Sequence, residues 1–118
     1  MSTNSNRITY AHLRRGDAWG SISPHGGVTM AIQADDNGNT NIGVAVCCDA
    51  DRYVKALGRE KAVGRLHSTS DKLAKFRHTF VGIAPSALYG ILGGEVIAPE
   101  IDNELDMVLK GAGAKIHR

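Results

Sequence analysis

The stretch Val28–Cys48, "VTMAIQADDNGNTNIGVAVCC", decides the fold. Val28, Met30 and Ile32 alternate with Thr29, Ala31 and Gln33. Beyond a polar interval, Ile42, Val44 and Val46 alternate with Gly43, Ala45 and Cys47. A period of two is that of strands with one face turned to a core. Asn37-Gly38 between the two runs is a favoured pair for a tight hairpin turn, because both residues tolerate positive φ. The segment predicts a β-hairpin.

The flanks are read outward from it. In "RITYAHLRRGDAW" (7–19), Ile8, Ala11 and Leu13 stand near helical spacing and Gly16-Asp17 stops the pattern, so a short helix is expected. Residues 1–6 are polar and read as disordered. "SISPHGG" (21–27) is turn chemistry, with Pro24 fixing one dihedral and Gly26-Gly27 permitting positive φ. After the hairpin, "DADRYVKALGREKAVGRLHS" predicts a helix from about Ala50 to His67, capped by Asp49 or Asp51. Ser68-Thr69-Ser70 breaks it, and Ser70 or Asp71 caps a second helical stretch over "DKLAKFRHTF" (71–80). "FVGIAP" (80–85) reads as a short strand or extended link, and "SALYGILGGEVI" (86–97) as helix or strand, ended by Pro99. "DNELDMVLKG" (102–111) reads as helix. With 118 residues and no internal repeat, the chain is expected to be a single domain over 1–118. Its predicted class is α+β, a small antiparallel sheet built around the β-hairpin and packed with helices on one side.

Composition is that of an ordinary globular protein, 42% hydrophobic and 22% charged, but aromatics are scarce. Oligomerisation is a reasonable way to finish burying so thin a core. The polar N-terminus has no apolar run behind it, so neither a signal peptide nor a membrane span is expected. Adjacent Cys47-Cys48 cannot build a disulfide framework, which points to a reducing, intracellular location. The net charge of +2 is unevenly spread. From Arg52 to His78 there are eight Lys or Arg against Glu60 and Asp71; from Glu95 to Asp106 there are five acids and no Lys or Arg. A basic middle and an acidic later segment imply an anionic ligand, mutual docking of the two, two solvated faces, or a mixture.

The basic helix carries the chemistry. In "GREKAVGRL" (58–66), two Gly-Arg pairs stand six residues apart, although each helical glycine costs about 0.8–1 kcal/mol relative to alanine. Glycine lets a ligand or another backbone approach closely, and arginine beside it offers a planar fork of donors for phosphate oxygens. Arg52, Lys55 and Arg59 share one stripe of the helix, and Arg65 lies further round. Arg59 and Arg65 thus hold a phosphorylated ligand or serve a helix interface, and a pocket at an interface would satisfy both. "PHGG" is either a backbone phosphate cradle or a plain turn. Cys47 and Cys48 point to opposite faces of a strand and make poor joint metal ligands, so no metal is expected. Phe76 and Phe80 are core contacts or, given so few aromatics, a surface for stacking a purine. No nucleophile elbow, Walker or dinucleotide motif occurs, so a binder without cofactor is favoured over an enzyme. The modest net charge and lack of an aromatic platform count against a nucleic-acid partner, which remains the alternative reading for the basic helix.

Over residues 28–66, the strand "NIGVAVCCDADRYVKALGREKAVGRL" running into a Gly-Arg…Ala-x-Gly-Arg helix resembles a family of small bacteriophage proteins. It is similar to the first type of anti-defence protein described against Thoeris immunity. The resemblance implies a sponge that binds cyclic ADP-ribose isomers made by host TIR-domain enzymes and holds them without cleaving them. It also implies homodimers that assemble into hexamers, with some members binding cyclic di- or trinucleotides at separate sites. Arg59 and Arg65 carry over as the anion contacts. Arg52, Phe76, Phe80, Asn103, Lys110 and Arg118 join them as ligand candidates on their chemistry. The expected home is the cytoplasm of an infected bacterium. Cys-Cys-Asp stands here where the family has Cys followed by Ser or Thr and a proline.

Overall fold

A computed structural model describes residues 7–14, 25–95 and 98–114. The hairpin forms: β2 (His25–Ala34) pairs antiparallel with β3 (Thr40–Arg52), from Ala34↔Thr40 to Val28↔Val46. The loop between them is longer than a two-residue Asn-Gly turn. Asp35 closes it, its carboxylate accepting from the backbone N–H of Asn37 (2.8 Å) and Asn39 (3.0 Å), while Gly38 takes φ 81°. This is the local side-chain capping that makes aspartate a turn residue.

The two faces of the hairpin differ in bulk, and that difference organises the fold. Val28, Met30, Ile32, Ile42 and Val44 lie on one face, all buried. They pack with Phe80, with Leu88 and Ile91 of α2 (Pro85–Leu92), and with Leu105 and Leu109 of α3 (Pro99–Gly111). Burying each such side chain contributes about 1.5–3 kcal/mol. The opposite face is made of Thr29, Ala31, Gly43 and Ala45, and there α1 (Lys55–Leu66) sits with its buried Ala62. Helices therefore cover both faces of the sheet, not one as the sequence suggested. A face of small residues is as good a seat for a helix as an apolar one, provided the backbones can come close.

The glycines make that approach. A Cβ on Gly43 would lie 2.2 Å from the Ala62 carbonyl oxygen and 2.4 Å from the Leu66 nitrogen; one on Gly58 would lie 2.2 Å from Thr29 Oγ1. Gly58 is thus a contact between helix and sheet. Gly64 has open space around its would-be Cβ, so packing against this chain does not require it.

Other expectations shift. Residues 9–13 form strand β1 (Thr9–Leu13), not a helix, in antiparallel register with β2 from Thr9↔Ile32 to Leu13↔Val28. Ile8, Ala11 and Leu13 satisfied a helical spacing by coincidence, and pairing with an already formed strand overrides so short a pattern. β3 runs on to Arg52, so Asp51 lies in the strand and caps nothing; Val54 precedes α1 without a side-chain cap. The stretch 71–80 divides into a 3₁₀ helix (Asp71–Phe76), where Ser70 Oγ accepts from the Lys72 N–H as expected of a cap, and strand β4 (Arg77–Phe80). β4 pairs with β3 from Arg77↔Gly43 to Phe80↔Thr40, completing the sheet order β1-β2-β3-β4. Residues 85–92 are helical, and Pro99 opens α3 rather than ending an element, a place where its missing N–H costs nothing. Residues 1–6, Gly16-Asp17, Pro24 and Arg118 lie outside the described residues. Among the described residues no helix is long and apolar enough to cross a membrane.

Two glycine substitutions separate packing from helix propensity. Gly43→Ala drives a Cβ into helix backbone that cannot rotate away, and should cost about 3 kcal/mol or more. Gly64→Ala, with free space, should stabilise by about 0.8–1 kcal/mol. Urea unfolding midpoints of the two variants, moving in opposite directions, check the close helix–sheet contact.

Candidate functional site

α1 lies over β2 and β3 with two flanks, and the cations of the sequence motif divide between them. The flank toward β1 carries Lys55 and Arg59, one turn apart. They face a hydrogen-bonded group made by three separate segments: His12 on β1, Thr29 on β2 and Tyr53 just beyond β3. His12 and Thr29 are cross-strand partners on the small-residue face. His12 Nδ1 lies 2.7 Å from the Tyr53 hydroxyl and 3.3 Å from Thr29 Oγ1. Thr29 Oγ1 lies 2.6 Å from the Tyr53 hydroxyl, which donates to the Val28 carbonyl at 3.2 Å.

The glycine pair Gly26-Gly27 makes room for this group. Both lie in β2 at positive φ, 74° and 136°, where the register with β3 shifts between His25 and Gly27. A Cβ on Gly27 would lie 2.7 Å from the Tyr53 ring. The Gly26-Gly27 part of "PHGG" is accordingly a bulge that seats an aromatic ring. The guanidinium of Arg14 covers that ring, 4.2 Å from its centroid, and His12 meets the ring edge-on at 6.1 Å.

Among the described residues, the charges that act on His12 are all positive. Burial, and then the positive charges of Lys55, Arg59 and Arg14, hold His12 below its usual value of 6.5. Burial pushes the Tyr53 hydroxyl up, against the opposing influence of Thr29, Arg14 and Arg59. The imidazole is therefore neutral near pH 7, amid a cluster of cations suited to an anion.

The other flank uses its arginine structurally. Arg65 Nη1 donates to the Val44 carbonyl at 2.8 Å, just past the point where β4 stops pairing with β3. Its guanidinium lies 3.9 Å from the Phe76 ring centroid, and burial lowers its pKa. Between the start of α1 and the end of β3 opens a cleft of about 270 Å³, with Arg52 and Lys61 at its rim and Tyr53 in its wall. Val54 and Leu57 stand exposed beside it, 44% and 54%. Cys47 is half-buried there, and the exposed Cys48 thiol donates to Asp51 Oδ2 at 3.3 Å, a contact that pushes its pKa up and keeps it protonated.

The residues expected from sequence are thus dispersed. Arg59 stands in the cationic flank and Arg52 at the cleft, whereas Arg65 and Phe76 are engaged with one another. Phe80 is fully buried in the core, edge-on to His78 at 4.8 Å, and its ring offers no face to a ligand. Asn103 and Lys110 are exposed on α3, across the sheet from Arg59. Between the acidic and basic segments, His78 Nε2 lies 2.9 Å from Glu104 Oε2, joining β4 to α3. His12, Thr29 and Tyr53 were not anticipated. A period-two reading of residues 9–13 would have put His12 on the face of Thr29, but no local signal brings Tyr53 between them. Among the described residues no group of His, Cys, Asp and Glu is arranged to hold a metal. The chain matches no family model, and no curated protein or solved structure is significantly similar to it.

His12 couples this group to pH. Its folded value lies below 6.5, so as pH falls past 6.5 the unfolded chain takes up a proton that the folded chain still refuses. The stability present above 6.5 is lost as pH falls through the folded value. The charged groups facing it are Lys55 and Arg59 from α1 and Arg14 from the end of β1. Between about pH 7.5 and about pH 5.5, urea unfolding should show a larger loss of stability for the natural chain than for His12→Asn, which has nothing to titrate there. Equal losses would place the titration elsewhere.

Proposed function

We propose that this chain binds a small cyclic nucleotide, a cyclic ADP-ribose isomer in the first instance, and sequesters it without cleaving it, as a phage anti-defence protein would. The observation that carries the reading is the convergence of Lys55, Arg59 and Arg14 on the neutral His12–Tyr53 group. A pyrophosphate brings two negative charges and several acceptor oxygens. Arg59 offers a fork of donors and Lys55 a point charge one turn away, and α1 has no acid in its first turn to compete. Thr29 and Tyr53 hold His12 in place beneath them.

A sponge needs affinity and slow release, not transition-state stabilisation, so fixed cations on a rigid helix suffice. The reading makes the protein an oligomer of identical chains. The exposed Val54 and Leu57, beside Arg52 and Lys61, are a surface on which a second copy would close over a ligand and exclude water. It also puts the protein in the cytoplasm of the infected bacterium, where the host makes such signals. Because Arg65 is engaged with the Val44 carbonyl and the Phe76 ring, the reading assigns the ligand to the first half of the Gly-Arg repeat.

A capture-and-release experiment tests this. Purified protein is mixed with cyclic ADP-ribose isomers and with cyclic di- and trinucleotides, freed of unbound ligand by filtration and denatured by heat, and the released material is identified by chromatography. One nucleotide returned intact supports sequestration. Altered nucleotide would make the protein an enzyme, and an empty eluate with steeply salt-dependent binding to nucleic acid would assign the basic helix to phosphate backbones. Arg59→Ala should weaken capture at least about tenfold, the worth of one charge-assisted hydrogen bond. Arg65→Ala should leave capture within about threefold while lowering the unfolding midpoint, since what it loses is the bond to Val44 and the cover over Phe76. The reverse pattern would return the site to Arg65.

A further inference from the structure

Counting protons in the His12 group shows which tautomer fills all four of its contacts. The Val28 carbonyl can only accept, so its contact at 3.2 Å is filled only when Tyr53 donates to it. The contact between Thr29 Oγ1 and the Tyr53 oxygen then needs the Thr29 proton, which leaves both contacts of His12 Nδ1 without one unless Nδ1 carries its own. With Nδ1–H shared between Tyr53 and Thr29, every contact holds a proton; with bare Nδ1, two do not. Every hydrogen bond His12 makes among the described residues goes through Nδ1. Burial and the surrounding cations keep the ring neutral, so Nε2 bears a lone pair.

A lone pair on a partly covered imidazole under the influence of three cations is selective in what it will take. Phosphate oxygens are acceptors and gain nothing from Nε2, although Lys55 and Arg59 beside it attract them. A metal cation would meet three positive charges. A hydroxyl suits both sides, since it donates to Nε2 and its oxygen can accept from a neighbouring ammonium or guanidinium.

We infer that His12 Nε2 is the acceptor for a sugar hydroxyl of a phosphorylated ligand whose phosphate lies on Lys55 and Arg59, so that the site reads ribose as well as charge. The inference rests on the nucleotide reading above and adds to it a recognition residue and the chemical class recognised, a sugar phosphate with a free hydroxyl close to its phosphate. Thr29 and Tyr53 act through His12 as positioning residues. They hold the tautomer in which the lone pair faces out, in the way that a partner on one ring nitrogen sets the chemistry of the other.

The test uses the full chain with three kinds of probe: inorganic pyrophosphate, cyclic ADP-ribose, and cyclic ADP-ribose lacking the 2′ or 3′ hydroxyl on either ribose. Calorimetry should show cyclic ADP-ribose bound at least about tenfold more tightly than one of the deoxy forms, the discrimination expected when a site's hydrogen-bonding group loses its partner. His12→Asn retains a side-chain N–H for Tyr53 but has no acceptor at the outer position, and should bind the two forms within about twofold. Long-range nitrogen–proton NMR of the natural chain should report Nδ1–H and an unprotonated Nε2, with the Nε2 resonance shifting on addition of cyclic ADP-ribose and shifting less with the discriminated deoxy form. A wild type that binds all forms alike, a His12→Asn variant that still discriminates, or an Nε2–H tautomer overturns the assignment. Binding of pyrophosphate and cyclic ADP-ribose that Arg59→Ala abolishes, without discrimination among sugars, would sink the role of His12 and leave the nucleotide reading standing. Failure of cyclic ADP-ribose to bind at all would sink the role of His12 as assigned, and an empty eluate in the capture experiment as well would sink the nucleotide reading with it.

Discussion

The structure depends on how closely α1 lies against the sheet. With no Cβ at Gly43 to meet the backbone of Ala62 and Leu66, and none at Gly58 to meet Thr29, helix and sheet touch almost backbone to backbone. Dispersion contacts are short-ranged, so this closeness gives a face of alanine, glycine and threonine real cohesion despite its small area. It also sets the height of everything α1 carries. Were the helix one side-chain layer further out, Lys55 and Arg59 would stand clear of His12, and Arg65 would not reach the Val44 carbonyl.

The same closeness answers why a short helix tolerates two glycines. Gly58 is needed for contact, and the propensity it forfeits is offset by the packing it permits. Gly64 faces open space and has no such role within this chain. The repeat that looks like one motif is therefore two devices. Its first half brings a cation to a polar group. Its second half places Arg65 around the sheet edge where β4 ends, satisfying a carbonyl that the short strand leaves behind and covering Phe76.

The polar group itself shows how a buried network can serve a surface. Thr29 is fully buried and Tyr53 nearly so, while His12 is only partly covered. An unsatisfied hydroxyl at either buried position would cost about 1–3 kcal/mol, and the contacts among Thr29, Tyr53 and His12 give both hydroxyls partners. Buried groups thereby hold the ring of a residue that is only partly covered. The bulge at Gly26-Gly27, read from sequence as a turn, is the backbone's accommodation to the Tyr53 ring.

The hairpin was legible in Val28–Cys48 because alternation over two long runs depends on each residue's own neighbours and little else. The helix over 102–111 and the serine cap before the 3₁₀ helix were legible for a similar local reason, whereas 86–97 stayed open between helix and strand until the structure showed α2. Strand β1 was not, since five residues of ambiguous period take their conformation from the strand they pair with. Nor was β4, whose four residues continue a helical pattern until pairing with Thr40–Gly43 claims them. Local order in a sequence determined the sheet's central pair, the polarity of α1 and the presence of its arginines. Tertiary structure alone decided that Arg59 and Arg65 point to different flanks, that Phe80 is core, and that His12, Thr29 and Tyr53 meet. Those facts arise from contacts between residues 17 to 41 positions apart, where no periodicity carries a signal and only the closure of the sheet under α1 brings the groups together.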